Sequence, residues 1–170
     1  MPAADEPARQ VIYLQQAVEV LRDQAIERAR SKLAPHDQSL PLAQLLQRAD
    51  FLDYLRYQLA TGIARILAEN EPRVGEVYLY DPAGTQSADP AIHALVRVSA
   101  PSAALQAFIS SLDRALLGSL RALPASNFAQ RQFILDISLI SDADVAQGRG
   151  YASMLSSLFA PPLKIWERDS

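Results

Sequence analysis

Two carboxylates and an imidazole, Asp89, His93 and Asp136, are the groups with which this sequence could do chemistry. Brought together they would hold a divalent ion such as Mn²⁺ or Zn²⁺, and the imidazole alone would carry a proton near neutral pH. Each has a structural reading as well. Asp89 precedes Pro90 among turn-forming residues, where an aspartate commonly bonds its own backbone. A single histidine in a strand more often packs than reacts. Counting removes other chemistries: there is no cysteine, and His36 and His93 are the two histidines, so neither a thiolate nor a histidine-rich metal site can be built. No Gly-x4-Gly-Lys phosphate loop occurs. In Gln147-Gly148-Arg149-Gly150-Tyr151, Arg149 would meet an anion if a helix started there, although the flanking glycines favour a flexible connector.

Positioning these groups falls to three strand-like runs. Val77, Tyr78, Leu79 and Tyr80 are mostly β-branched or aromatic and stop at Asp81-Pro82. In residues 91–98, Ile92, Ala94, Val96 and Val98 fall on one face and Ala91, His93, Leu95 and Arg97 on the other. Residues 81–90 between them hold Pro82, Pro90, Gly84, Thr85, Ser87 and Asp89, a turn-favouring composition in which Asp81, Gly84 and Thr85 are the candidate ligand-binding residues. The third run, residues 133–141, sets Phe133, Leu135, Ile137 and Leu139 against Ile134, Asp136, Ser138 and Ile140, so Asp136 stands in mid-strand.

Helical periodicity accounts for most of the rest. Val11, Leu14, Val18, Leu21 and Ala25 alternate spacings of three and four, predicting a helix over residues 7–33 whose narrow seam suits packing within the domain or pairing of two subunits. The helix ends before Ala34-Pro35. Residues 41–47 predict a short helix with proline in its first turn. Asp50 is the expected N-cap of a second long helix, with Leu52, Leu55, Leu59, Ile63 and Ile66 on one face and its end near Asn70-Glu71-Pro72. Gly62 inside it is expected as a tolerated glycine, at about 1 kcal/mol relative to alanine, ahead of a close approach by another element. Pro101 and Ser102 open a third helix whose wide stripe, from Leu105 to Leu123, should lie flat on a sheet before Pro124. Residues 142–147 fit no single element, residues 151–159 predict a short helix, and residues 163–166 a last edge strand or a tail pinned by Trp166.

This order of helix, strand, polar loop, strand, long helix and Asp-bearing strand resembles the minimal nucleotidyltransferase domain of the polymerase-beta-like superfamily, over about residues 50–141. Val77-Tyr78-Leu79-Tyr80 matches the first strand, Gly84-Thr85 the loop, Leu95-Val96-Arg97-Val98 the second strand, and Asp136 the third acid. The departures fall on the chemistry. Asp81-Pro82 stands in place of the family's Gly-Ser, removing a hydroxyl and an N–H donor and adding a charge that repels phosphate. Ala91 and His93 stand in place of its Asp-x-Asp pair, so of three Mg²⁺-binding acids only Asp136 is left. The resemblance implies an α/β (α+β) fold, a small mixed sheet of three to four strands with packed helices, preceded by two long N-terminal helices. It further implies a catalytically inactive domain retained as a binding or assembly module, with no cofactor expected. The alternative is a metal-dependent nucleotidyltransferase, or another phosphoryl-transfer enzyme, rearranged around Asp89, His93 and Asp136 and using Mg²⁺ or Mn²⁺. A second alternative is a purely structural homodimer joined through the N-terminal helix.

Composition sets the outer limits. The 170 residues, 49 % hydrophobic and 21 % charged, suit one domain with a sizeable core. A disordered lead (1–8), a helical extension (9–48), the core (50–141) and a C-terminal helix and tail (142–170) are its expected parts. No apolar run of about 18 residues exists to span a membrane, and the acidic start is unlike a secretory signal. Cytoplasmic residence follows as the expectation from zero cysteines. With 16 basic and 19 acidic residues intermixed and a net charge of −3, no field attracts a nucleic-acid backbone.

Overall fold

Apolar residues recurring every three to four positions build three long helices on one side of this molecule, and alternation builds a sheet beneath them. The computed structural model describes residues 6–81, 89–124, 127–157 and 160–170. Helix α1 (Glu6–Ser31) is followed by the short α2 (Leu42–Leu45), α3 (Ala49–Asn70), strands β1 (Val74–Tyr80) and β2 (Ile92–Val98), α4 (Ala103–Arg121), β3 (Leu135–Ser141), α5 (Asp142–Gln147), a 3₁₀ helix (Gly150–Ser156) and β4 (Leu163–Glu167). The fold is α+β, with a four-stranded mixed sheet ordered β3-β2-β1-β4. β1 runs antiparallel to β2 and β4, while β2 and β3 are parallel. Parallel neighbours need a long crossover, and α4 is that crossover.

Most of the α1 seam is spent inside the domain. Leu14, Val18 and Ala25 are buried and Leu21 is half-buried, whereas Val11, expected on the same seam, is exposed; α1 packs on α3 and α4. The helix already starts at Glu6, so residues 6–8, expected as disordered lead, are helical. At its other end Arg30 Nη1 donates to the carbonyls of Gln38 (2.8 Å) and Leu40 (2.7 Å), folding the following loop back. Gly62 corrects the expectation of a merely tolerated glycine: a Cβ there would lie 1.9 Å from Leu21 Cδ1, so α1 and α3 meet closely at that level. Asp50 is likewise not the cap. Arg48 is, and Asp50 sits in the first turn, where its Oδ1 accepts from the Phe51 N–H (2.7 Å) and both oxygens bind Arg48. The Arg48 guanidinium holds that carboxyl below its usual range, and the helix dipole favours an acid at this end.

The wide stripe of α4 enters the same core as α3 and the first face of the sheet, joining Leu105, Ile109, Leu112 and Leu116 to Leu55, Leu59, Val77, Ile92, Val96 and Leu135. Ser102 caps α4 by accepting from Leu105 N–H at 3.1 Å. β3 starts later than alternation suggests. Phe133 is outside it and 45 % exposed, because Asp113 Oδ1 on α4 accepts from the N–H groups of Ile134 (2.8 Å) and Leu135 (2.7 Å) and sets the first strand residue. β4 is the expected edge strand: Trp166 stands opposite Val77, packs on the core, and is overlain by Arg168, which donates to the Val74 and Ala68 carbonyls.

Residues 142–147, unassigned by pattern, form α5 through a capping box. Ser141 Oγ accepts from Asp144 N–H and Asp144 accepts from Ser141 N–H. Gly148 (φ 61°) and Gly150 (φ 55°) then occupy the left-handed region, which glycine enters without strain. They turn the chain back over β3, where a 3₁₀ helix stands in place of the expected helix over 151–159. No helix among the described residues is long and apolar enough to cross a membrane.

Candidate functional site

The second face of the sheet carries the polar side chains, and register sorts them into rows. Tyr80 lies opposite His93 and His93 opposite Asp136. The next row is Lys164, Tyr78, Leu95 and Ser138, and the third Glu167, Glu76, Arg97 and Ile140. Alternation with period two puts those of β1, β2 and β3 on one side, and in β4 a register shift opposite Val77 and Tyr78 brings Lys164 and Glu167, three residues apart, into the same series. A small apolar cluster of Leu95, Ile140 and Ala152, flanked by Val145, Met154 and Leu155, covers part of this face from α5 and the 3₁₀ helix. The first row stays half open at the end where β1 finishes and β2 and β3 begin.

In that row His93 Nδ1 and Asp136 Oδ2 are 2.9 Å apart, the imidazole 20 % and the carboxylate 47 % exposed. The Tyr80 and His93 ring centroids are 5.7 Å apart at 46°. Burial raises the Tyr80 hydroxyl above its ordinary pKa, with the charges of Asp136 and Tyr151 adding to the effect. The phenol therefore stays a neutral donor across the physiological range. The third row is an ion network. Arg97 Nε reaches Asp142 Oδ1 at 2.9 Å and Arg97 Nη1 reaches Glu76 Oε2 at 3.6 Å, with Lys164 Nζ 3.7 Å from Glu76 Oε1. The Tyr78 hydroxyl donates to Glu76, its pKa raised by burial first and by the Glu76 hydrogen bond second, and the Tyr78 ring lies beneath Lys164 Nζ.

Of the residues singled out by sequence, His93 and Asp136 come together and Asp89 does not join them. Its carboxylate accepts from the Ala91 N–H (2.9 Å) and pairs with Arg131 Nη1 (2.8 Å), while its carbonyl accepts from Arg56. Asp89 thus behaves as the turn residue its place before Pro90 suggested, tying the chain ahead of β2 to α3 and to the approach to β3. The three-residue metal site of the enzyme alternative is not formed: among the described residues no group of three or more His, Cys, Asp or Glu could hold an ion. Asp81 follows β1 and is exposed; Gly84 and Thr85 lie outside the described residues. Arg149, 61 % exposed, lies 3.7 Å from Asp144 and stands at the N-terminus of the 3₁₀ helix that begins at Gly150, so the glycines flank a helix start and not an extended connector.

Tyr80, Arg131 and Asp113 were missed by sequence reasoning. Tyr80 had a signal, since it shares a face with Tyr78 and its strand partner is His93. Arg131 and Asp113 had none, because their partners lie across the fold. Chemically, the row offers a histidine with an aspartate counter-ion and a phenol donor, an arrangement able to hold or pass a proton. It does not offer the pair of adjacent carboxylates that grips two hard cations. No family model, no curated protein and no solved structure matches the chain.

Proposed function

We propose that this chain is a catalytically inactive nucleotidyltransferase-like domain that serves as a binding or assembly module and transfers no phosphoryl group. The observation that supports this most is the employment of Asp89. Its carboxylate is held by Arg131 and by a backbone N–H, so recruiting it to a cation would break an ion pair and strip a turn of its cap. At the position where the resemblance calls for an acid beside Asp136, the neighbouring strand presents His93, already hydrogen-bonded to Asp136. A neutral or cationic imidazole there does not replace a carboxylate for Mg²⁺. Zero cysteines and intermixed charge support reading it as a cytoplasmic module whose partner is another protein surface rather than a nucleic acid.

The experiment is calorimetric titration of the whole chain with ATP or GTP in the presence of Mg²⁺. No saturable heat is expected. A micromolar isotherm, or transfer of labelled nucleotide to any acceptor, overturns the proposal. The His93–Asp136 bond favours one competing reading, an enzyme that uses the pair for proton transfer with a single bound ion; saturable Mn²⁺ binding that disappears in Asp136→Asn would establish it in place of the first.

A further inference from the structure

Leu14, Val18 and Ala25 of the seam that periodicity assigns to α1 are buried, yet its first member Val11 (55 %) stays exposed, with Ile12 (54 %), Tyr13 (66 %) and Val20 (57 %) beside it. Tyr13 is the ridge between two grooves. One, of about 360 Å³, runs between α1 and α3 and is lined by Gln16, Val20, Gly62, Arg65 and Ile66. The other, of about 440 Å³, lies between the start of α1 and α4 and includes Val11, Leu105 and Phe108. Gly62, where α1 and α3 approach closely, and Leu21 form part of the lining of the first groove.

Along the outward side of α1 stand Arg9, Tyr13, Gln16, Val20, Asp23 and Glu27, all exposed. Their spacings of four, three, four, three and four are those of a helix-pairing seam. The seam is also its own reverse complement. Laid antiparallel about position 18, a second copy sets Arg9 against Glu27, Tyr13 against Asp23 and Gln16 against Val20, each contact occurring twice by two-fold symmetry. Laid parallel, it sets Arg9 against Arg9 and the two acids against themselves, which like-charge repulsion disfavours. Asp23 also accepts from Arg22 Nε at 2.9 Å but remains 67 % exposed, leaving an oxygen for a phenol hydroxyl across the interface.

We propose that this face of α1 binds a second copy of the chain, antiparallel and isologous, so that two α1 and two α3 helices form a four-helix contact with the two sheets outermost. The inference deepens the assembly reading by naming its partner, and it rests on that reading for its purpose alone; the geometry stands without it. Val20, packed against Gln16 at the centre, and Tyr13 on either side supply the apolar contact, and the Arg9–Glu27 pairs at both ends set direction and register.

The test is the solution mass of the full chain by light scattering, with twice the 18.6 kDa of one chain expected. Tyr13→Glu with Val20→Glu should halve that mass while leaving the circular dichroism of the fold unchanged, since both side chains are exposed. Because the chain contains no cysteine, direction can be read covalently. A mixture of Arg9→Cys and Glu27→Cys chains should oxidise to the crossed heterodimer, whereas parallel pairing would join each variant to itself. A monomeric wild-type chain, a dimer indifferent to the double substitution, or like-with-like disulfides each overturn the proposal. Failure here is separable from failure of the inactive-module reading: a monomer that ignores Mg²⁺ and nucleotide sinks the dimer alone, and a dimer that binds nucleotide sinks the other.

Discussion

The two faces of this sheet, made by alternate residues of the same strands, do different work. Ile92, Val96 and Leu135 on the first face are closed over by α3 and α4 in a continuous apolar core. His93, Arg97 and Asp136, each one residue along, stand on the second face in hydrogen bonds and ion pairs that solvent partly reaches. Water-excluded apolar area supplies most of the free energy of folding, while partly exposed charge pairs add little. The first face therefore sets stability, and the second is free to vary in chemistry. That division lets side chains on the second face change without disturbing the packing on the first.

The sharpest way to break this comparison uses neighbouring residues. Ile92→Ala should lower the unfolding free energy by about 2–5 kcal/mol, the range for truncating a buried aliphatic side chain, as read from urea denaturation. His93→Ala, one position on, should lower it by less than about 1 kcal/mol, since it removes one partly exposed pair. Equal losses would mean that the second face carries structural load after all. Next in size, Asp113→Ala strips the first two amides of β3 of a charged acceptor and should lower stability by about 2–3 kcal/mol. Asp113→Asn, which keeps a carbonyl oxygen, should recover part of that. Smaller again is Ser141→Ala, at about 1 kcal/mol for a lost helix cap. It should loosen α5 and the 3₁₀ helix over the second face, seen as faster amide exchange there, while leaving the helix-packed core protected.

Periodicity made the first face legible in sequence, because burial demands apolar residues at the repeat of the element that buries them. Three strands and the three long helices follow from that demand, whereas the largely exposed β4 is one of two readings of residues 163–166. Features that depend on contact between distant segments left weaker traces. Gly62 gives no sign that Leu21 is its neighbour, Asp113 none that it anchors β3, and Asp89 none that Arg131 holds it. The α1 seam was visible, but a seam does not state which surface it meets, and here it turned inward and left a second one outside. Ser141 and Asp144 do carry the three-residue spacing of a capping box, a short local signal beside the longer periodic ones. Of the candidate site, His93 and Asp136 could be paired once their strands were placed side by side, and the turn role of Asp89 could be read from Pro90, whereas its ion pair with Arg131 could not.

A pH series separates the two kinds of contribution by sign. Arg73, through its guanidinium and then its backbone N–H, holds the Glu71 carboxyl down to about 2 from an ordinary 4.5, and the Ser141 N–H and hydroxyl hold Asp144 below its usual 3.8. A carboxyl depressed by folding stabilises the native state above its unfolded pKa, and that contribution fades as pH falls toward the folded value. Unfolding free energy should therefore be level near neutrality and decline as pH drops below 4.5 toward about 2 for Glu71, with Asp144 joining below its usual 3.8. Ile92→Ala should run parallel to the wild type throughout, displaced by a constant amount, because burial of hydrocarbon has no proton to exchange. In Glu71→Gln the acid decline should become shallower. A decline as steep as the wild type's in that variant would assign the acid sensitivity to other carboxylates, and convergence of the Ile92→Ala and wild-type curves at low pH would show that the two faces do not contribute independently.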